Sequence, residues 1–217
     1  METIELFDRY KAEYNILTVV NQATAMSVRK IYQFYRKNDF RYLQFIPCLD
    51  PIGKEKGNEE YSLLPEAYGK FLCELFDLWY DDYLHGRIVS IRTFDNYLGI
   101  LRGYPPEACD MRGQCSVQHV VEADGSVYPC DFYVLDQWRL GNVMEDDFAD
   151  YRAREKAREF IESSHNIDEE CQNCRYFPLC RGGCRRVREE SASGRNYFCR
   201  SYKMFFDYAL DRMGRMR

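Results

Sequence analysis

Residues 171–184, CQNCRYFPLCRGGC, place four cysteines on one short segment. The spacing is Cys-x2-Cys-x5-Cys-x3-Cys. The segment belongs to an ordered series of eight among the ten cysteines of the chain: Cys109, Cys115, Cys130, Cys171, Cys174, Cys180, Cys184 and Cys199. Clustered thiolates attract soft or borderline metal ions, and eight thiolates complete two four-cysteine sites. The series therefore predicts a region held together by metal–thiolate bonds. A small loop-rich region has little hydrophobic core, so it needs such cross-links for stability.

The remaining two cysteines lie outside the series. Cys48 follows a predicted strand and Cys73 lies within a predicted helix, so both are interpreted as core thiols. Disulfides are not expected, because the charged N-terminal sequence METIELFDRYKAEYN does not resemble an export signal. Without a run of 18 apolar residues, the sequence predicts a soluble cytoplasmic protein without a membrane partner.

Size, composition and net charge limit the possible classes of function. With 217 residues and 46% hydrophobic residues, the chain can bury one or two cores. A net charge of −5 with interspersed signs gives no reason to expect nucleic-acid binding. The one basic run, RGGCRRVR at 181–188, is interpreted as a solvated loop.

The first hundred residues alternate between strand and helix patterns, which predicts an α/β fold. Strands are expected at 15–21, 42–46 and 87–94, and a long amphipathic helix is expected from Pro65 to Gly86. This order implies parallel pairing with right-handed crossovers. Such strands are normally buried on both faces, so this half resembles the end of a larger α/β unit.

The pattern changes near residue 104, where a domain boundary is predicted between residues 1–103 and 104–217. The sequence QHVVEADGSVYPC, 118–130, predicts a hairpin. Apolar residues at helical spacing predict one helix across 148–160 and another across 202–213. Cysteine spacing alone leaves zinc and iron–sulfur ligation equally open.

A family resemblance favours iron. The cysteine series, with Gly125 five residues before Cys130, resembles the SPASM auxiliary-cluster domain of radical S-adenosylmethionine enzymes. The flanking sequences resemble the anaerobic sulfatase-maturating enzymes along nearly the whole chain: LQFIPCLDPIGKEKG, FDLWYDDYLHGRIVSIRTFDN, VVEADGSVYPCDFYVLDQWRLGN and CRGGCRRVREESASGRNYFCRSYKMFF. The resemblance implies the end of a partial (β/α)6 radical-SAM barrel at residues 1–103 and a SPASM domain at 104–217.

The resemblance also implies which cysteines share a cluster. One [4Fe–4S] cluster would be ligated by Cys109, Cys115, Cys130 and Cys184. The other would be ligated by Cys171, Cys174, Cys180 and Cys199. The four cysteines of the 171–184 segment would thus be divided between two sites.

The family oxidises a serine or cysteine of a sulfatase to Cα-formylglycine, and the resemblance assigns two further residues to that reaction. Asp131 matches the base that deprotonates the target hydroxyl or thiol, although an aspartate there can also cap a turn. Leu49 matches a residue that contacts the adenine of S-adenosylmethionine, although it can equally be apolar lining. The implied partners are the sulfatase polypeptide and an electron donor such as ferredoxin or flavodoxin.

One family motif is missing from these residues. The sequence contains no Cys-x3-Cys-x2-Cys triad, which in the family binds the cluster that cleaves S-adenosylmethionine. The chain is therefore expected to be inactive alone, as a fragment, a truncated product or half of a split enzyme. S-adenosylmethionine and a third [4Fe–4S] cluster are expected only together with the missing part.

Three other functions remain open at this stage. The chain can belong to another SPASM enzyme that modifies a ribosomal peptide. It can be a zinc or iron–sulfur binding module without catalysis, or it can pass electrons to a separate partner. A measurement of zinc, iron and sulfide content would distinguish a zinc-binding module from the iron–sulfur alternatives.

Overall fold

A computed structural model of the chain describes residues 1–189, 191 and 193–216. They form two compact units. The first contains Met1–Pro105 and the segment that begins at Phe198, and the second is Pro106–Tyr197. The first break therefore lies two residues beyond the predicted boundary, but the C-terminal helix belongs to the first unit rather than to the second. The functional assignment of the two segments stays a prediction.

The helices and strands follow one another along the chain in this order: α1 Glu2–Tyr10, β1 Ile16–Val20, α2 Gln22–Ala25, α3 Val28–Lys37, β2 Tyr42–Pro47, α4 Pro65–Leu84, β3 Ser90–Ile91, α5 Arg92–Leu101, β4 Val120–Val121, β5 Ser126–Tyr128, β6 Gly141–Asn142, α6 Glu155–Glu162, α7 Glu169–Gln172, α8 Phe177–Cys180, α9 Arg185–Arg188 and α10 Cys199–Met213. Short 3-10 helices cover Cys109–Met111, Asp131–Tyr133, Asp136–Trp138, Phe148–Ala153 and Ser163–His165. No described helix is both long and apolar enough to cross a membrane.

The first unit contains the predicted parallel sheet. Its strands lie in the order β1-β2-β3, and both neighbouring pairs are parallel. This confirms the alternation of strands and helices. The third strand is shorter than predicted, because the segment becomes helical at Arg92 after only two strand residues.

The prediction that β1 is buried on both faces is wrong in this structure. Leu17 is 60% exposed and Val19 is 58% exposed. Alternate side chains of a strand point to opposite faces, so these two residues share one open face. The other face is covered by α3, where the hydroxyls of Thr18 and Tyr35 lie 2.6 Å apart.

Aromatic side chains from α4, α5 and α10 form the core of the first unit. The rings of Phe76, Phe94 and Phe205 lie 5.5 to 6.0 Å from one another, and all three residues are fully buried. Gly69 permits the close approach of α4 and α10, because a Cβ added there would lie 3.2 Å from the Cα of Ser201. The amphipathic patterns of α4 and α10 are therefore confirmed as packing faces.

In the second unit the predicted hairpin is confirmed by the antiparallel pair β4 and β5. Asp124 accepts hydrogen bonds from the backbone N–H and hydroxyl of Ser126, each 2.9 Å, and Gly125 supplies the positive φ of 83° that the turn requires. The sequence did not predict β6, which pairs with β5. A two-residue strand is too short for a recognisable alternation.

The prediction of one helix across 148–160 is wrong. A 3-10 helix ends at Ala153, and α6 begins at Glu155. The intervening Arg154 has an extended backbone, and its guanidinium donates to the Leu140 carbonyl at 2.6 Å and to Asp146 at 2.5 Å. These tertiary bonds hold Arg154 in a conformation that interrupts the helix.

Candidate metal centre

Four cysteines from separated segments of the second unit form the first candidate site. Cys109 begins a 3-10 helix, and Cys115 lies two residues after the tight turn at Gly113. Cys130 follows the hairpin, and Cys184 is the N-cap of α9, where its sulfur accepts from the Arg186 backbone N–H at 3.4 Å.

The pKa shifts of these thiols connect Cys184 with each of the other three cysteines. The pKa of Cys184 is raised to about 12, mainly by burial and with smaller contributions from Cys115 and Cys109. Burial also raises the pKa of Cys130 to about 12, with contributions from Asp131 and Cys184. The pKa of Cys115 is raised in the same way by burial and by Cys109. The structure thus associates Cys184 with the other three cysteines of its predicted set.

The second candidate set is arranged differently. Cys171 is buried on α7, Cys174 is half-buried just beyond it, and Cys180 ends α8. The segment is compact because the Cys174 N–H donates to the Cys171 carbonyl at 3.1 Å and the Gly183 N–H donates to the Cys180 carbonyl at 2.7 Å. Cys199 begins α10 in the first unit, and its membership of this set stays a prediction.

Within the described part of the chain, no group of three or more histidine, cysteine, aspartate or glutamate side chains is placed so that it could hold a metal ion. The donor chemistry of the first set nevertheless fits an iron–sulfur cluster, because its four thiols come from separated segments and three of them are partly buried. A buried guanidinium lies beside them: Arg188 is 3% exposed, and none of the described residues accepts a hydrogen bond from its Nε. Such a cation suits an anionic group bound by several thiolates.

Sequence reasoning missed the role of the basic run at 181–188, and its interpretation as a solvated loop is wrong. Arg186 and Arg188 are each 3% exposed, and only 14% of the Arg185 side chain is exposed. A run of charges predicts solvent exposure on average, but guanidinium groups also pack on aromatic rings and beside thiolates. The available indication was the position of the run, directly against the cysteine segment.

Arg185 fixes the chain next to Cys184. Its guanidinium lies 4.6 Å from the ring centre of Tyr133, 5.0 Å from that of Trp138 and 5.2 Å from that of Phe160. Cys115 and Cys130 pack against the same aromatic cluster. The cation–π contacts therefore hold the α9 segment close to the cysteines of the first set. Tyr133 and Trp138 are packing residues.

Asp131, the predicted base, lies at the edge of the first set. It is exposed and begins a 3-10 helix. The Cys130 thiol donates to Asp131 Oδ1 at 3.3 Å. The carboxylate is thus both next to a candidate cluster ligand and open to an incoming molecule.

Leu49 and the two remaining cysteines lie in the first unit. Leu49 is half-buried just beyond β2. Cys48 and Cys73 are half-buried rather than fully in the core, and burial raises the pKa of Cys73 to about 11. All ten cysteines of the chain are thiols in the structure.

The chain is similar to known proteins along nearly its whole length, and part of it matches a domain family. Residues 109–175 match the SPASM family, an iron–sulfur cluster-binding domain. A cysteine-type anaerobic sulfatase-maturating enzyme from Clostridium perfringens (strain 13 / Type A) is 53% identical over 212 residues, which are 96% of this chain and 57% of that protein. The chain is homologous to the C-terminal portion of the anaerobic sulfatase-maturating enzymes.

Further anaerobic sulfatase-maturating enzymes align with the chain over similar shares of their length. The cysteine-type enzyme of Clostridium novyi (strain NT) is 50% identical over 98% of this chain and 58% of its own length. The serine-type enzyme of Bacteroides thetaiotaomicron is 28% identical over 100% of this chain and 56% of its own length. The chain thus spans less than two thirds of each of these relatives.

A solved structure supports the fold. Native anSMEcpe with bound AdoMet superposes with a TM-score of 0.92 at 52% identity, covering 98% of this chain and 59% of that one. A second structure of anSMEcpe contains AdoMet and the Cp18Cys peptide and gives the same TM-score. The α/β fold is therefore that of the matching part of an anaerobic sulfatase-maturating enzyme.

Proposed function

We propose that this chain is the auxiliary-cluster portion of a radical S-adenosylmethionine enzyme that oxidises a sulfatase residue to Cα-formylglycine. In this proposal residues 1–103 are the last strands and helices of a partial (β/α)6 barrel, and residues 104–217 are the SPASM domain. The observation that carries the proposal is the ordered series of eight cysteines in a chain that matches the Clostridium perfringens enzyme along 96% of its length.

The chain would hold two [4Fe–4S] clusters. The first would be bound by Cys109, Cys115, Cys130 and Cys184, and the second by Cys171, Cys174, Cys180 and Cys199. When bound, such clusters exchange single electrons. Reduced thiols are required for this ligation, which is consistent with a cytoplasmic setting.

Asp131 would act as the base. Its exposed carboxylate is suited to accept the proton of the target thiol or hydroxyl, because it lies 3.3 Å from Cys130, one of the proposed cluster ligands. Oxidation of the target carbon to the aldehyde level removes two electrons: a Cβ hydrogen atom leaves to a 5′-deoxyadenosyl radical, and this proton and a second electron then leave the substrate. A base beside an electron-accepting group serves both requirements.

The proposed substrate is a cysteine within a sulfatase polypeptide. This choice is supported by an identity of 50–53% with cysteine-type enzymes, compared with 28% for the serine-type enzyme of Bacteroides thetaiotaomicron. The peptide bound to anSMEcpe supports a polypeptide substrate. A ferredoxin or flavodoxin would supply electrons.

S-adenosylmethionine and its own [4Fe–4S] cluster would be bound mainly outside these 217 residues, because the chain contains no Cys-x3-Cys-x2-Cys triad. Leu49 would contribute an apolar contact to the adenine. Its half-buried position after β2 is consistent with lining a ligand site at the carboxyl end of a parallel strand.

The direct test is a chimera in which this chain replaces the matching segment of the Clostridium perfringens enzyme. We expect the chimera to convert the cysteine of Cp18Cys peptide to formylglycine, detected by mass spectrometry. Asp131→Asn should retain the iron content and lose product by about 100-fold or more. The matched control is Asp136→Asn, since Asp136 is also exposed and begins the next 3-10 helix.

Two results would overturn parts of the proposal. A chimera that binds iron but never modifies the peptide would favour another peptide-modifying or electron-transfer function. Full product formation by Asp131→Asn would remove the assigned base while leaving the family function intact.

A further inference from the structure

Arg188 is a buried cation that contacts several segments around the candidate clusters. Its Nη2 donates to the Ser164 carbonyl at 2.6 Å, and its Nη1 lies 3.5 Å from the Gly113 carbonyl. Gly113 belongs to the loop between Cys109 and Cys115. The Ser164 hydroxyl in turn accepts from the Cys115 backbone N–H at 2.9 Å. Arg188 therefore supports the segment that carries Cys115.

The 171–184 segment lies close to the Arg188 guanidinium at Gly182. Gly182 has a φ of 82°, and a Cβ added there would lie 3.3 Å from Arg188 Nη1. This glycine lies between Cys180 of one proposed set and Cys184 of the other. The guanidinium thus lies close to the stretch of chain that connects Cys180 of one proposed set with Cys184 of the other.

The charge of Arg188 interacts with thiols of both sets. Burial lowers the pKa of Arg188, and Cys115, Cys184 and Cys171 oppose that shift. Cys115 and Cys184 belong to the first proposed set, whereas Cys171 belongs to the second. An arginine remains protonated even when its pKa is lowered, so a positive charge persists at this place.

Among the described residues, no carboxylate forms an ion pair with Arg188. The hydrogen bonds of Arg188 go to two neutral carbonyls, and no described residue accepts from its buried Nε. A buried, unneutralised cation is costly unless an anionic group compensates it. Clusters ligated by thiolates carry net negative charge and offer sulfur acceptors, so they would supply that compensation.

We propose that Arg188 is a positioning residue shared by both cluster sites, and that its buried charge raises the reduction potential of both clusters. This inference rests on the proposed function. Reduction adds one electron, and hence one negative charge, to a cluster without a proton. A fixed positive charge nearby stabilises the reduced form more than the oxidised form.

The test compares reduction potentials in the full chain after anaerobic reconstitution. Iron and sulfide are measured first in wild type, Arg188→Gln, Arg188→Lys and Arg154→Gln. Redox titration monitored by electron paramagnetic resonance then gives the potential of each cluster. Arg154→Gln is the matched control, because Arg154 is in the same unit but its charge is matched by Asp146.

We expect Arg188→Gln to bind as much iron as wild type and to shift both potentials to more negative values. Arg188→Lys, which keeps the charge, should stay close to wild type, as should Arg154→Gln. Unchanged potentials in a fully loaded Arg188→Gln variant would overturn the inference, and so would a shift at only one cluster.

The remaining outcomes are also decisive. If Arg188→Gln does not bind iron, Arg188→Lys carries the test. Normal loading and potentials in that variant support the role of the charge, whereas failure of both variants assigns Arg188 to structure alone. Wild-type chain without iron would instead reject the proposed function, which distinguishes the two failures.

Discussion

Cys184 is the residue on which the two proposed cluster sites depend. In the sequence Cys184 belongs to the 171–184 segment. In the structure its pKa is raised to about 12, mainly by burial, and Cys115 and Cys109 from outside that segment contribute to the rise. Cys184 is the N-cap of α9, and the next residue, Arg185, makes a cation–π contact with Tyr133. Cys130 packs against the aromatic cluster that contains Tyr133. The division of the segment between two sites stays a prediction, and these contacts motivate its test.

Double substitutions test this division. If Cys184 and Cys115 share a cluster, Cys115→Ala with Cys184→Ala should lose no more iron than either single change, leaving about four iron atoms per chain. Cys171→Ala with Cys184→Ala should remove nearly all iron, because it disables both sites. Iron and sulfide analysis after reconstitution gives the answer, with Cys48→Ala as the control that keeps full loading.

The opposite pattern would contradict the assignment. Retention of about four iron atoms by Cys171→Ala with Cys184→Ala would place both residues on the same cluster.

At this scale the sequence indicates the candidate ligands but not their surroundings. Cysteine spacing is a direct chemical pattern, so the series could be recognised without a structure. The burial of Arg186 and Arg188 could not, because a run of arginines looks the same whether it faces water or thiolates.

At the level of elements, the close packing of α4 and α10 depends on Gly69. A Cβ at this position would lie 3.2 Å from the Cα of Ser201 and 2.8 Å from the sulfur of Met204. Gly69→Ala should therefore destabilise the chain by about 1 kcal/mol, although alanine is the better helix former. Chemical denaturation measures the change.

Gly99→Ala in α5 is the matched control. There the added methyl group would meet only the Cβ of Tyr104 at 3.9 Å, so the same change should stabilise by about 0.5 kcal/mol. Equal effects of the two substitutions would show that helix propensity, rather than helix packing, decides the stability at Gly69.

The elements that could be predicted are those with a long periodic pattern. The pattern of α4 and α10 extends over several turns, so it marked both helices and their buried faces. The break at Arg154 could not be predicted, because it depends on bonds to Leu140 and Asp146 that form only in the folded chain. The exposed face of β1 likewise depends on which neighbours cover the sheet.

At the scale of the whole molecule, the two compact units differ in how their cores are built. The first has an extensive aromatic core that includes Phe71, Phe76 and Phe205. The hydrophobic clusters described in the second are Val117, Val127, Leu140, Tyr151 and Ala157, and Tyr133, Trp138 and Phe160. The second unit should therefore depend more strongly on its bound clusters.

Hydrogen exchange measured by mass spectrometry tests this difference. Removal of the clusters with an oxidant and a chelator should abolish protection across residues 106–197. Peptides of α4 and β2 in the first unit should keep most of their protection, because their burial does not require metal. Equal protection of the second unit with and without clusters would contradict a metal-supported core.

The proposed binding of two four-iron clusters is tested most directly by the metal content of the chain. The chain is purified and reconstituted without oxygen, and iron, sulfide and zinc are measured together with the absorption spectrum. We predict about eight iron and about eight sulfide ions per chain. About two zinc ions without iron would contradict the claim and indicate a structural metal module.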